Sequence, residues 1–389
     1  MTKKFTLFLI FSIALLIFSG CSSNLYSNKT VSENSDSTET ELAQQTRSTE
    51  ASPSVHTQEP VKDSGAAENS QTAQATDTKQ IEIIDYSKVK PNESGQIMVV
   101  MFHNFVESYP SKGNNEYTTT FDEFEKLLTE LYEKKYRLIS LTDLLNNNIN
   151  VPAGCIPMVF TFDDGTSGQF NLVEENGRLV VNPKSAVGIM EEFNKKHSDF
   201  GLQGTFYVNL GGSTFPGAGS LSERLNYLIE KGFEIGNHTK THVSLPTIKT
   251  PQKMMEEVGG NQVLMNQLVP GYYFNSFSLP FGNASKDLRD YVIKGNFEGI
   301  NYEHSAIMLV GANPAPSPVS PNFNPMAIPR VRSSGQKPVE CDLAWWLETL
   351  GKGSSQYISD GNPDTVTVPK DKQNNVDMSR LNGKQLVTY

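Results

Sequence analysis

Between residues 95 and 302 short apolar runs alternate with stretches of helical spacing, and that alternation restricts the fold more than any other feature. Runs at 96–102, 157–162, 204–208, 233–237, 274–279 and 297–302 predict strands. Residues 120–136, 183–196, 221–231, 251–268 and 285–293 predict helices. The first helix carries its own start signal, because Thr120 followed by Glu123 makes a capping box in which hydroxyl and carboxylate each satisfy an orphan backbone donor. Asn176-Gly177 between two apolar runs predicts an inserted hairpin. A series of this kind closes as a parallel sheet or barrel of the α/β class. In such folds chemistry gathers at the C-terminal ends of strands, where loops bring side chains from several strands to one spot.

Two polar clusters fall at such ends. Asp163 and Asp164 close an apolar strand, and adjacent carboxylates there are costly unless a cation sits beside them or one is protonated. A plain turn is the other reading, with one aspartate capping the next segment and Gly165 supplying a positive φ. His238 and His242 directly follow another strand at i, i+4. On a turn entering a helix that spacing puts both imidazoles on one face, as a metal site needs. Two histidines and one carboxylate leave positions open for water and substrate, the catalytic form of such a site.

On these residues the sequence resembles the polysaccharide deacetylases of the NodB-homology type, carbohydrate esterase family 4, over about residues 95–345. Thr161-Phe162-Asp163-Asp164-Gly165 stands as the family's first motif, which implies Asp163 as catalytic base and Asp164 as a metal ligand. His238-Thr239-Lys240-Thr241-His242 matches the second, H-[ST]-x-x-H, and implies the other two ligands. The resemblance further implies a distorted (β/α) barrel and a divalent metal, zinc first, with nickel, cobalt and iron compatible. Phe277-Ser278-Leu279-Pro280-Phe281-Gly282 aligns with the third motif, F-R-x-P-[YF]-G, which implies an oxyanion role for the Phe281 backbone N–H. Ser278 stands where that motif has the arginine that orients the aspartate. Arg330 is the expected substitute, Arg332 a second candidate, and both have the alternative of a solvated or surface-bridged arginine. The family's C-terminal L-x-H motif has no clean counterpart. Met101-Phe102-His103-Asn104 instead resembles the N-terminal histidine of members acting on poly-N-acetylglucosamine, which implies His103 as general acid, with His304 as rival. His56 and His197 read as bystanders. Asp342, Trp345 and Trp346 read either as groove lining or as helix packing.

The ends decide the expected compartment. Lys3 and Lys4 precede an apolar run from Phe5 to Phe18, an export signal over residues 1–20. The run is shorter than the roughly 20 residues needed to span a bilayer. Phe18-Ser19-Gly20-Cys21 resembles a lipobox, with Phe18 in place of the usual leucine, and implies lipidation of Cys21. Residues 21–80 are rich in Ser, Thr and Gln and too poor in apolar groups to offset the entropy of ordering, so they predict a disordered tether. Its r.m.s. reach is about 40 to 45 Å. The catalytic domain is expected over 81–350 and an extension over 351–389, of which 357–368 could add an edge strand and the rest is surface.

Lys and Arg number 33 against 43 Asp and Glu in 389 residues, a net charge of -10. With no basic cluster to follow a phosphate backbone, nucleic acid is excluded as a partner. A Cys155–Cys341 disulfide is permitted outside the cytoplasm, and two buried thiols are equally compatible. The expectation is therefore a monomeric, membrane-tethered lipoprotein on the outer side of the cell membrane that removes N-acetyl groups from an N-acetylated polysaccharide. An O-acetyl esterase and a catalytically silent glycan-binding lipoprotein are the alternatives.

Overall fold

The computed structural model describes residues 84–389 except 113, 114 and 334–338, so the export signal, Cys21, the 21–80 tether and His56 lie outside the described residues. Eight strands form the central sheet: β1 (Met98–Phe102), β2 (Tyr136–Leu138), β3 (Ile156–Asp163), β4 (Thr205–Val208), β5 (Glu234–Asn237), β6 (Ser276–Ser278), β7 (Ala306–Met308) and β8 (Val331–Arg332). Their order is β7-β6-β5-β4-β3-β1-β8, with β2 also on β3, and every pairing is parallel. β2 and β4 share one edge of β3, which pairs β2 through Ile156–Met158 and β4 through Thr161–Asp163. The sheet curls far enough for its two ends to meet. Ile328 bridges Met308 of β7, and three residues further on Val331 pairs with Val100 of β1. Segment 328–333 is thus the seam of a distorted barrel.

Alternation along the strands sorts side chains to two sides. Outward residues such as Phe102, Phe160, Phe162 and Phe206 pack under the helices, with Phe162 and Phe206 stacked at 4.5 Å between centroids. Inward residues Val99, Val159, Tyr207, Met308 and Ile328 fill the lower barrel. Towards the strand ends the inward positions become polar, through Thr161, Asp163, Ser278 and Arg330, all buried. Gly236 is required at its place, because a Cβ there would lie 2.3 Å from the Tyr207 ring.

Helices Phe121–Glu133, Ala186–Lys196, Leu221–Glu230 and Pro251–Leu268 form where the spacing predicts them. The capping box is made as expected, with the Glu123 N–H donating to Thr120 Oγ1 and the Thr120 N–H to Glu123 Oε2. The hairpin Leu172–Glu175 with Arg178–Val181 also forms, turning through Asn176 and Gly177 at positive φ. No helix among the described residues is long and apolar enough to cross a membrane.

Three expectations are corrected. Residues 297–302 are no barrel strand: Lys294–Phe297 and Ile300–Glu303 form an antiparallel hairpin that turns at Glu298 and Gly299, both at positive φ. The barrel strand is Ala306–Met308, too short to stand out by pattern, and the helix expected at 285–293 shrinks to Asp290–Ile293. A strand does form within 357–368, at Thr365–Val368, but it pairs with Gln385–Thr388 and not with the barrel edge, and the rest of the extension is not all surface, since Val376 and Leu381 make a small core with Val319, Val366 and Val368. Cys155 is a buried free thiol, so the permitted Cys155–Cys341 bridge is not formed.

Candidate active site

The ends of β1, β3, β5 and β6 and the seam bring seven expected residues together. Asp163 closes β3 and points into the barrel, almost wholly buried. Arg330 meets it from the seam, with Nη1 donating to Oδ1 and Nη2 to Oδ2 at 2.7 Å each. The rest of the guanidinium is committed as well: Nε donates to the Leu309 carbonyl at 2.8 Å, Nη1 to Thr161 Oγ1 at 3.2 Å and Nη2 to Ser278 Oγ at 2.9 Å. Ser278 Oγ donates in turn to Asp163 Oδ2 at 3.0 Å. The serine that stands in place of the motif arginine thus bonds both Asp163 and the arginine that arrives from the seam. Arg332, the second candidate, points elsewhere and pairs with Glu116 at 3.0 Å.

Burial acts to raise the Asp163 carboxyl, but the Arg330 guanidinium, with His238, Arg330's hydrogen bonds and His103, overrides it and holds the group well below the usual carboxylate range. A fork of this kind fixes orientation as well as charge.

Asp164, at φ +81, turns away from Asp163 towards the histidines. Its Oδ1 lies 3.5 Å from His238 Nε2 and 3.3 Å from His242 Nε2. The two histidines are not on a helix, as the spacing had suggested. They sit on an irregular turn with Thr239 and His242 at positive φ, and this turn, not helical periodicity, brings the rings to 4.9 Å between centroids. The ligand-type atoms of Asp164, His238 and His242 all lie within 4.8 Å of one another. His238 Nδ1 is 2.8 Å from the Ser278 carbonyl, so it carries the proton and leaves the Nε2 lone pair facing the cluster. Two imidazole nitrogens and a carboxylate oxygen aimed this way suit a divalent cation of the zinc type, with open positions left over.

His103 follows β1, its Nε2 3.9 Å from Asp163 Oδ2. Burial lowers its basicity, and Asp163 and Asp164 pull it partly back. Phe281 is 61% exposed at φ +57, its ring 4.8 Å from that of His242. An aromatic residue in the left-handed region is a costly conformation, held here by the short turn Pro280–Gly282.

His304, the rival acid, is not in the site. It is buried, with Nδ1 2.7 Å from the Val292 carbonyl and Nε2 3.3 Å from Asn237 Nδ2, and burial pushes it down to about 4. His197 packs on Tyr132 and Phe193. Asp342 caps helix Leu343–Thr349, and the Trp346 indole donates to the Ala312 carbonyl, which favours the packing reading of both.

Sequence reasoning missed the scaffold under the histidine turn. Asn209 Nδ2 donates to the His238 and Thr239 carbonyls, and Asn261 Nδ2 to the Val208 carbonyl and Asn237 Oδ1. Glu257 Oε2 accepts from the Thr241 N–H and hydroxyl. Glu257 and Asn261 are i, i+4 on one helix face, and that polar pair was the available signal. Gln169 Nε2 likewise donates to the His103 and Asp163 carbonyls, joining the two strand ends.

Residues 150–300 match the family model described as polysaccharide deacetylase. No curated protein matches the chain. Among solved structures, it is similar to the polysaccharide deacetylase BC0361 from Bacillus cereus, at 17% identity and TM-score 0.48 over 66% of this chain and 69% of that one. The Streptococcus pyogenes deacetylase PplD in complex with acetate aligns at 16% identity and TM-score 0.47, over 66% of this chain and 98% of that one. IcaB from Ammonifex degensii aligns at 15% and 0.45, over 66% and 96%. Asp163-Asp164 at the end of β3 and the His238–His242 turn after β5 both lie inside the stretch that matches the polysaccharide deacetylase family model, and His103 and Arg330 reach the same site from outside that stretch.

Proposed function

We propose that this protein is a metal-dependent N-deacetylase of an N-acetylglucosamine-containing surface or extracellular polysaccharide, and that it releases acetate. The observation that carries the reading is that Asp163, locked by Arg330, has His103 Nε2 at 3.9 Å and His238 Nε2, part of a His-His-Asp donor set, at 4.0 Å from the same oxygen, Oδ2. Asp164, His238 and His242 would hold the cation. When bound, such an ion supplies Lewis-acid chemistry, polarising an acyl carbonyl and acidifying water at neutral pH. Zinc suits this donor set best.

Asp163 stays ionised throughout the physiological range, so it is always in the state that can accept a proton from the attacking water. Arg330 and Ser278 keep its carboxylate plane fixed, so the acceptor does not swing away between turnovers. As the water oxygen bonds to the acetamide carbon, negative charge develops on the carbonyl oxygen, and the Phe281 N–H is the backbone donor assigned to it. Removing one donor of that kind typically costs about 3 to 4 kcal/mol. His103 then delivers a proton to the amide nitrogen as the C–N bond breaks and its electron pair goes to nitrogen. Acetate and a free amine result. An amine is a poor leaving group without that proton, which is why the presence of His103 favours an amide over an ester substrate. The exposed Phe281 ring offers an apolar face to a sugar. Lipid anchoring at Cys21, an extracytoplasmic location and a monomeric state belong to the same proposal, the first two supported by the N-terminal sequence.

The test is acetate release by the purified full-length protein from poly-N-acetylglucosamine, chitin oligomers and peptidoglycan, with zinc, with chelator and with Asp163→Asn. Chelator-sensitive release that the substitution abolishes supports the reading. Absence of release by a folded, zinc-loaded protein on every polymer rejects it.

A further inference from the structure

We infer that Tyr117 is the positioning residue for His103, doing by ring packing what a hydrogen bond does for His238. The inference rests on the reading of His103 as general acid.

A histidine that moves a proton needs its ring held, because Nε2 is useful only while it points at the reacting atom. The His238 ring is aimed by its Nδ1 contact with the Ser278 carbonyl. The His103 ring lacks the equivalent: its Nδ1 is buried with no hydrogen-bond partner among the described residues. What the structure puts against that ring is Tyr117, in an edge-on packing with centroids 4.8 Å apart and planes at 65°. Pairs of this geometry have a preferred tilt and a real, if modest, attraction.

Tyr117 is itself held from two directions. Its carbonyl accepts the Asn104 N–H at 2.9 Å, so its backbone is tied to the residue next to His103. The contact belongs to a short parallel pairing in which Asn104 stands opposite Thr118. On the ring itself, the Arg332 guanidinium stands 5.3 Å from the centroid, within the range of a cation–π contact. Arg332 is on β8, opposite Met101 of β1, and pairs with Glu116. The arginine that does not reach Asp163 thus backs the tyrosine that packs on the acid. The tyrosine ring, not its hydroxyl, is the acting part.

The experiment compares the full-length, zinc-loaded wild type with Tyr117→Ala, Tyr117→Phe, His103→Ala and the His103→Ala/Tyr117→Ala double variant on two substrates. One is a chitin oligomer, whose amine must be protonated to leave. The other is p-nitrophenyl acetate, whose phenolate leaves without that help. Tyr117→Ala is expected to lower kcat on the amide about 10- to 100-fold, within the range of a general-acid contribution, while the ester rate changes less than about 2-fold. Tyr117→Phe should keep amide turnover within about 3-fold of wild type, and the double variant should fall no further than His103→Ala. Equal losses on amide and ester, or a Tyr117→Phe as damaged as Tyr117→Ala, would overturn the positioning role. A His103→Ala variant with normal amide turnover overturns the general-acid reading itself, and with it this inference. A damaged His103→Ala beside an unaffected Tyr117→Ala overturns the inference alone.

Discussion

Arg330 and Asp163 meet in a two-point contact, 2.7 Å at each point, with both side chains withdrawn from water and four further hydrogen bonds closing around them. Neither partner can be removed without leaving the other charged in a place water does not reach.

Arg330→Met should therefore cost stability as well as turnover. Breaking a buried pair from one side costs about 3 to 5 kcal/mol, and thermal melts of the variant should show it. Arg330→Lys keeps the charge and loses the fork, so it should recover part of the melting temperature and little of the activity. Asp163→Asn/Arg330→Met should melt above Arg330→Met alone while releasing no acetate. A single variant as stable as wild type would contradict the burial of the pair.

Ser278 is a test of the strand exchange. Ser278→Ala removes a hydroxyl that bonds both partners, a loss of about 1 kcal/mol, and acetate release should fall less than about 10-fold because the fork persists. Ser278→Arg drives a second guanidinium into a filled, buried space and should both destabilise and inactivate. Ser278→Arg/Arg330→Ser moves the arginine back to the motif position and should regain activity relative to Ser278→Arg. Steady-state kcat/KM on a chitin oligomer separates these outcomes.

The two histidines should differ when removed. His242 is about one-third exposed, His238 almost fully buried with its Nδ1 engaged by Ser278. Both alanine variants should lose zinc affinity in calorimetric titration, by about 10-fold or more. Only His238→Ala should also melt early in the presence of chelator, since it leaves a buried carbonyl unpaired and a cavity behind.

Glu93 gives a pH signature remote from the site. Burial, then the nearby Asp360, raise its carboxyl from 4.5 to about 8, against N–H donors from Thr367 and Asp360 and the charge of Lys384. The folded pKa lies above the unfolded one, so the folded state binds the proton more tightly. Its stabilising contribution is full below pH 4.5 and drains away as pH rises to about 8. Glu93→Gln removes that slope. The difference in melting temperature between Glu93→Gln and wild type should move in favour of the variant between pH 5 and 8, and a difference independent of pH would refute the assignment.

Much of the barrel was readable because its inner strands are buried on both sides and its helices carry caps. The run 156–163 and the Thr120–Glu123 box are strong local signals of that kind. Ala306–Met308 was not readable, since three residues carry no period, and the longer run at 297–302 competed for the same role until Gly299 turned it back. Site residues next to one another in sequence, such as Asp163 with Asp164 and His238 with His242, showed as clusters. The Arg330 contact spans 167 residues and the His103–Tyr117 contact depends on ring geometry, so no local pattern could rank them. Of the buried asparagines at 209, 237 and 261, the last two fell inside a predicted strand and a predicted helix, and no local pattern marks the carbonyls that all three bond.

The seam between β7 and β1 has a consequence for synthesis. The chain emerges from its N-terminus, and Asp163 is made long before Ile328–Ser333. Until that segment arrives, the cylinder has an open slot and the carboxylate lacks its guanidinium. A fragment ending before Ile328 would retain every motif residue from Thr161 to Gly282 and still lack the arginine that sets Asp163 in place. Closure of the barrel and arming of the reaction centre are one event, which waits for residues 328–333.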